Sequence, residues 1–244
     1  MKRYHLHLTS FVVLVASLLA PFMAEESRAQ YIYPTFKKVS VKANAQGKAE
    51  ADIEYIAISN ASQSTILTHI DNLNRKKVFG DEVIYIGNQA AANKIALELT
   101  EFYYDGIFAI PSQTTRQSVQ VIRGGKYITF YTDVFIYFGG ANGMPISATE
   151  CYNLQNGNIL NLAYLSTGSW RAALKRAIYN KCCTRVETLF CTYDDIEIPT
   201  MCALTEFGVQ FFFATGEIAA NVEGPVIIEI SDDELRSMGV PIRW

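Results

Sequence analysis

Residues 137–145 read YFGGANGMP, three glycines and an asparagine at the end of an aromatic, β-branched run. The run before it, KYITFYTDVFIYF over 126–138, alternates with a period of two. Ile128, Phe130, Val134, Ile136 and Phe138 share one face of a strand, and Tyr127, Thr129, Tyr131, Asp133, Phe135 and Tyr137 share the other. Gly139, Gly140 and Gly143, with Asn142 also tolerant of positive φ, let so long a strand end in a bulge and reverse. Their missing side chains also allow another backbone or a ligand to approach closely. A phosphate-binding loop would have to open a helix N-terminus. This loop runs instead into Pro145 and a strand, with no Lys-Ser/Thr pair behind it. The loop is therefore architectural, and the architecture is a sheet.

Working outward, SVQVI joins the long strand through Arg123-Gly124-Gly125-Lys126, a hairpin turn. Downstream, ISATECYNL and ILNLAYL flank Gln155-Asn156-Gly157-Asn158, where the Asn-Gly pair favours a turn with two positive φ angles. At the N-terminal end, VSVKA and AEADIEYIAIS predict a hairpin around Ala45–Lys48. Ile66, Leu67, Ile70 and Leu73 follow a helical period behind Ser64 as cap, and His69 reads as an ordinary residue of that helix. VIYIG at 83–87 reads as a short strand. NQAAANKIALELTEFYYDG then predicts a helix with Ala91, Ile95, Leu99 and Phe102 on one stripe and Gly106 as its stop. SWRAALKRAIYNKCC predicts another, capped by Ser169, with Trp170, Ala173, Leu174, Ala177 and Ile178 turned inward. ALTEFGVQFFFA and PVIIEI read as strands. Ser231-Asp232-Asp233-Glu234 is a capping box for a terminal helix. The sum is an α+β fold, an antiparallel sheet of hairpins with two or three helices packed on it.

The chain has 244 residues, half of them hydrophobic and 18% charged, enough to bury a core unaided. Its start differs in kind. A basic MKRYHLHLTS precedes the apolar FVVLVASLLA, Pro21 breaks the run, and Ser27-Arg28-Ala29 offers small residues at a cleavage site. Ten apolar residues fall short of the roughly 20 that a bilayer needs, so residues 1–29 read as a secretory signal peptide and not a membrane span. The expected location is secreted or periplasmic. Cleavage removes three basic residues (Lys2, Arg3, Arg28) and two acidic ones (Glu25, Glu26), leaving the formal charge of −3 one unit more negative. Nothing in that balance calls for nucleic acid or an anionic membrane.

His5 and His7 leave with the signal, so His69 is the one histidine of the mature chain, too few for a His-based metal site. Cys151, Cys182, Cys183, Cys191 and Cys202 allow up to two disulfides after export, with the pairing open. Cys182 and Cys183 are adjacent, and a bond between them would need a strained ring. Thiolate metal binding lacks a C-x-x-C spacing. Asp194-Asp195-Ile196-Glu197 lacks the spacing of a calcium loop and reads as a solvated turn. No G-x-S-x-G sequence is present. Paired carboxylates for glycoside hydrolysis stay open, because acids are plentiful and their separation cannot be read. No catalytic residue, metal or cofactor is assigned. The candidate binding surface is the tyrosine face with its loop: Tyr127, Tyr131, Tyr137, Gly139, Gly140, Asn142 and Gly143.

Taken in order, the strand ending in Gly139-Gly140-Ala141-Asn142-Gly143, then YNLQNGNILNLAYL, the helix at 169–182 and LTEFGVQFFFATGEIAANVEGPVIIEISDDEL resemble the RsiV/PdaC-like extracellular domain family. That family includes the ectodomain of a lysozyme-sensing anti-sigma factor and a domain accompanying a peptidoglycan deacetylase. The resemblance covers about 117–237. It implies a domain division at 30–116, an N-terminal α+β subdomain, and 117–244, the RsiV/PdaC-like subdomain. The family loop usually carries histidine where this chain has Asn142. No sigma-binding segment precedes the apolar run and no deacetylase motif is present. The resemblance therefore implies a non-catalytic envelope module that binds a lysozyme-like protein or a peptidoglycan fragment. A carboxylate-dependent envelope hydrolase and a structural scaffold are the alternatives.

Overall fold

The computed structural model describes residues 32–103, 110–139 and 143–244. Two strands, β1 (Phe36–Ala45) and β2 (Ala49–Ile58), form the first hairpin, with Ala45 opposite Ala49. Helix α1 (Thr65–Phe79) follows, its Ser64 hydroxyl accepting from the Leu67 amide at 3.4 Å. A single helical turn, α2 (Val83–Ile86), leads into α3 (Asn88–Leu99). The next three strands, β3 (Ser112–Arg123), β4 (Tyr127–Tyr137) and β5 (Met144–Asn153), run as a meander. Helix α4 (Arg171–Arg185) precedes β6 (Cys202–Leu204), β7 (Gly208–Phe213), β8 (Val226–Ser231) and a terminal α5 (Asp232–Ser237).

The expected α+β class holds, with two refinements of the sheet. Strands β1 to β5 form one sheet in sequence order, and β6 to β8 form a second, antiparallel one. The larger sheet is mixed, because β2 and β3 pair in parallel, Ala49 beside Ser112. A parallel pair needs a long crossover, and α1 to α3 supply it. They lie on the face carrying Ala51, Ile53 and Tyr55, where Val78, Ala92, Ile95 and Ala96 close a buried cluster that takes in Ile136. On the opposite face β1 and β2 present ion pairs to solvent, Lys42–Asp52 at 2.7 Å and Lys38–Glu54 at 2.6 Å. A second cluster lies among α4, the smaller sheet and β5: Leu174, Ile178, Phe211, Phe213, Ile228 and Cys151.

Three local expectations change. VIYI is a helical turn and not a strand, bounded by glycines at 80 and 87 and burying Val83 alone. ILNLAYL does not return as a strand. After an isolated bridge at Ile159, the Asn161 side chain accepts from the Ala163 amide at 2.8 Å and turns the chain into a 3-10 helix over Ala163–Ser166. Ser169 does not cap α4; Trp170 holds that position, its indole N–H donating to the Leu165 carbonyl at 3.0 Å. The capping box forms as expected, Ser231 and Glu234 satisfying each other's amides. The expected stop at Gly106 lies outside the described residues; α3 ends at Leu99 and continues as a 3-10 turn over Thr100–Phe102. The boundary expected at 116/117 falls inside β3.

Candidate functional site

Odd-numbered residues of β3, β4 and β5 all point away from α1 and α3, because antiparallel register keeps directly opposed residues on one face. The smaller sheet meets this face edge-on at one end. The Thr129 hydroxyl donates to the Leu204 carbonyl at 2.7 Å and Thr149 to the Cys202 carbonyl at 3.1 Å. Two carbonyls on the free edge of β6 are thereby satisfied by hydroxyls from the face of the other sheet. Arg123 extends the seam, donating to the carbonyls of Thr205 and Gly208 and pairing with Asp232.

Beyond Thr129 the two sheets separate and leave a cleft of about 460 Å³. Its floor is Thr115, Gln117 and Val119 of β3, Tyr131, Asp133 and Phe135 of β4 and Ser147 of β5; its wall is Gln210, Phe212 and Ile227 of the smaller sheet. Tyr131 stands at the closed end, its hydroxyl donating to Gln210 Oε1 at 3.3 Å and its ring 5.8 Å from that of Phe212. Burial, reinforced by the Glu229 charge, pushes its pKa up to about 12, so the hydroxyl is a proton donor across the physiological range. At the open end Phe135 and Val119 are 45% and 54% exposed, an apolar surface that no described residue covers. Among the described residues lining the cleft, Asp133 alone carries a carboxylate, which accepts from the Ser147 hydroxyl at 2.7 Å.

The expected tyrosine face thus divides. Tyr131 lines the cleft, Tyr127 packs on the second core cluster, and Tyr137 is half-buried and outside the lining. Of the loop, Gly140 and Asn142 lie outside the described residues. Gly139 has φ +87°, the positive value expected of a strand-ending glycine. Gly143 has an ordinary φ, and its lack of a Cβ serves contact: a methyl there would stand 2.0 Å from Phe135 Cζ. The close approach permitted by the glycine is made by an aromatic ring that floors the cleft. Sequence reasoning missed Gln210, Phe212 and Ile227, which arrive from the far end of the chain. Alternation within β7 and β8 could have placed them on one face, but nothing local says which surface that face meets.

His69 lies beside the Asn156-Gly157 turn, its Cδ2 3.3 Å from where a Cβ on Gly157 would be. Among the described residues no group of three His, Cys, Asp or Glu side chains is placed to hold a metal ion. All five cysteines are free thiols in this structure. No described helix is long and apolar enough to cross a membrane.

No family model matches the sequence, and no curated protein matches it. Solved structures share its fold. A DUF3298 family member from Bacteroides fragilis superposes with a TM-score of 0.64 at 16% identity, covering 84% of this chain and 93% of that one. A DUF3298 family protein from Pseudomonas aeruginosa gives 0.58 at 13% identity, covering 84% and 94%. At such identities the likeness establishes a common fold and nothing finer.

Proposed function

We propose that this chain is a non-catalytic binding module of the cell envelope and that the cleft between its two sheets holds a peptidoglycan fragment. The observation that carries this reading is the chemistry of the cleft. Its volume falls in the range of small-ligand sites, roughly 300–1,000 Å³, and Phe135, Phe212 and Tyr131 give it ring surface. Around the rings stand uncharged hydrogen-bonding groups, Thr115, Gln117, Ser147 and Gln210. Rings with neutral donors and acceptors suit a ligand with apolar faces and many hydroxyl and amide groups, as an N-acetylated glycan has. A hydrolase of the two-carboxylate kind would need a second acid about 5–10 Å from Asp133; the described lining offers none. The RsiV/PdaC-like resemblance supports the envelope setting, as does the leader-like segment at 1–29.

The test is titration calorimetry of the mature protein with soluble muropeptides and, separately, with lysozyme. Saturable muropeptide binding is expected, weakened about tenfold by Phe135→Ala, the loss of one aromatic anchor. Binding of lysozyme alone would make the partner a protein and overturn the glycan assignment. Silence in both arms would remove the binding reading altogether.

A further inference from the structure

The outer side of α4 carries a stripe that the cleft does not use. Arg176, Tyr179 and Cys183 stand at i, i+3 and i+7, hence on one side of the helix. The irregular segment after the helix folds back along this stripe. Tyr193 lies flat beneath the Arg176 guanidinium, 3.3 Å from its ring centre, and meets the Tyr179 ring edge-on at 5.8 Å. Two residues before Tyr193 is Cys191, half-buried against the core cluster that includes Cys182. Both sides of Cys191 are pinned, the Phe190 amide donating to the Ile218 carbonyl at 2.8 Å and Thr192 holding the Asp195 carboxylate through amide and hydroxyl. Cys183 is exposed on the last turns of the helix.

We propose that oxidation joins Cys183 to Cys191, fastening the segment after α4 to the helix it lies along. The thiolate of exposed Cys183 attacks a disulfide supplied by an oxidant of the glutathione-disulfide or protein-disulfide class, and one thiolate leaves. Cys191 then attacks the mixed disulfide at Cys183 and expels the second. The protein loses two electrons and two protons, and the oxidant's disulfide is reduced to two thiols. The other cysteines are poorly placed to compete. Cys182 points into the core, and Cys151 and Cys202 are held at the junction of the sheets. Burial lifts Cys151 to about 11 and Cys182 and Cys202 to about 12, and partial burial with the Asp195 charge also raises Cys191. The first attack therefore falls to Cys183, the exposed thiol that an external disulfide can reach. Export through an oxidising compartment would supply the oxidant, but the pairing does not depend on the route.

The native protein is incubated with glutathione disulfide, remaining thiols are blocked under denaturing conditions, and the unreduced digest is mapped by mass spectrometry. The expected result is a peptide carrying Cys182 and Cys183 linked to the peptide carrying Cys191, two hydrogens lighter than the sum. The link should vanish in Cys183→Ser, a substitution at an exposed site that leaves the fold intact. Absence of the link in the unsubstituted protein, or its persistence in Cys183→Ser through Cys182, would overturn the proposal.

Discussion

A missing side chain at Gly143 connects the glycine loop to the cleft. A Cβ there collides with the far end of the Phe135 ring, a flexible group that can swing aside, and not with backbone. Gly143→Ala is therefore expected to leave the melting temperature nearly unchanged while displacing the ring that floors the cleft. Ligand titration of the variant should show weakened binding, and an unaltered affinity would show that the ring position is immaterial. Tyr131 makes a second prediction at this scale. Its pKa is raised from an ordinary value near 10 to about 12, chiefly by burial, so the folded state holds the proton more tightly than the unfolded chain does. The stability this contributes is complete below about pH 10 and is lost as the pH climbs through about 12. Tyr164, also lifted to about 12, acts in the same direction. Denaturant unfolding at stepped alkaline pH should show the decline, with a shallower slope in Tyr131→Phe. Tyr131 itself was legible from alternation alone, since any strand over 127–137 puts it with Asp133 and Phe135. The separation of Tyr127 and Tyr137 from it was not, because an alternating pattern gives a face and says nothing of how much of that face a second sheet covers.

Between elements, the decisive contact is the edge of β6 against the face of β4 and β5. An unpaired strand edge is normally a hazard, exposing donors and acceptors to any passing strand. Here the Leu204 and Cys202 carbonyls are satisfied by Thr129 and Thr149. Thr129→Val keeps the shape and removes the donor, leaving a buried carbonyl unpaired at a cost of about 1–3 kcal/mol. Urea unfolding of the variant against the parent measures it, and a change well below that range would mean the carbonyl finds another partner. The hairpins of the larger sheet were legible because turn glycines and alternation agree. VIYI misled because its β-branched composition suits a strand, whereas glycines at 80 and 87, both at positive φ, confine it to a single helical turn. ILNLAYL misled for a different reason: the Asn161 side chain competes for backbone amides and breaks the extended run.

For the whole molecule, β3, β4 and β5 stand between the two buried clusters, with Ile136 packed on one and Tyr127 and Cys151 on the other. Both clusters should collapse together when these strands lose register. Trp170 and Trp244, the protein's two tryptophans, pack against the cluster of the smaller sheet, so their fluorescence reports that side. Far-ultraviolet circular dichroism reports both. Coincident thermal transitions by the two probes are expected, and a fluorescence transition separated from the dichroism would show two independently folding halves. The least legible feature at this scale was the parallel join of β2 to β3. The alternation of Ala49, Ala51, Ile53 and Tyr55 fixes which side is buried, but no local signal tells a strand that its neighbour lies beyond three helices.

That join imposes an order of assembly. The first hairpin and the later meander can each close through contacts made nearby in the chain. Their union into one sheet has to wait for everything between them to be laid down, because closing so long a loop is entropically costly until its helices have a surface to bury. A nascent chain halted before Ser112 already holds every fully buried member of the cluster around Val78 and Ile95, and lacks only Ile136 and Phe138 at its margin. Synthesis of β3 is thus the moment at which a first hairpin already covered by its helices gains an edge partner and can join the later strands in one sheet.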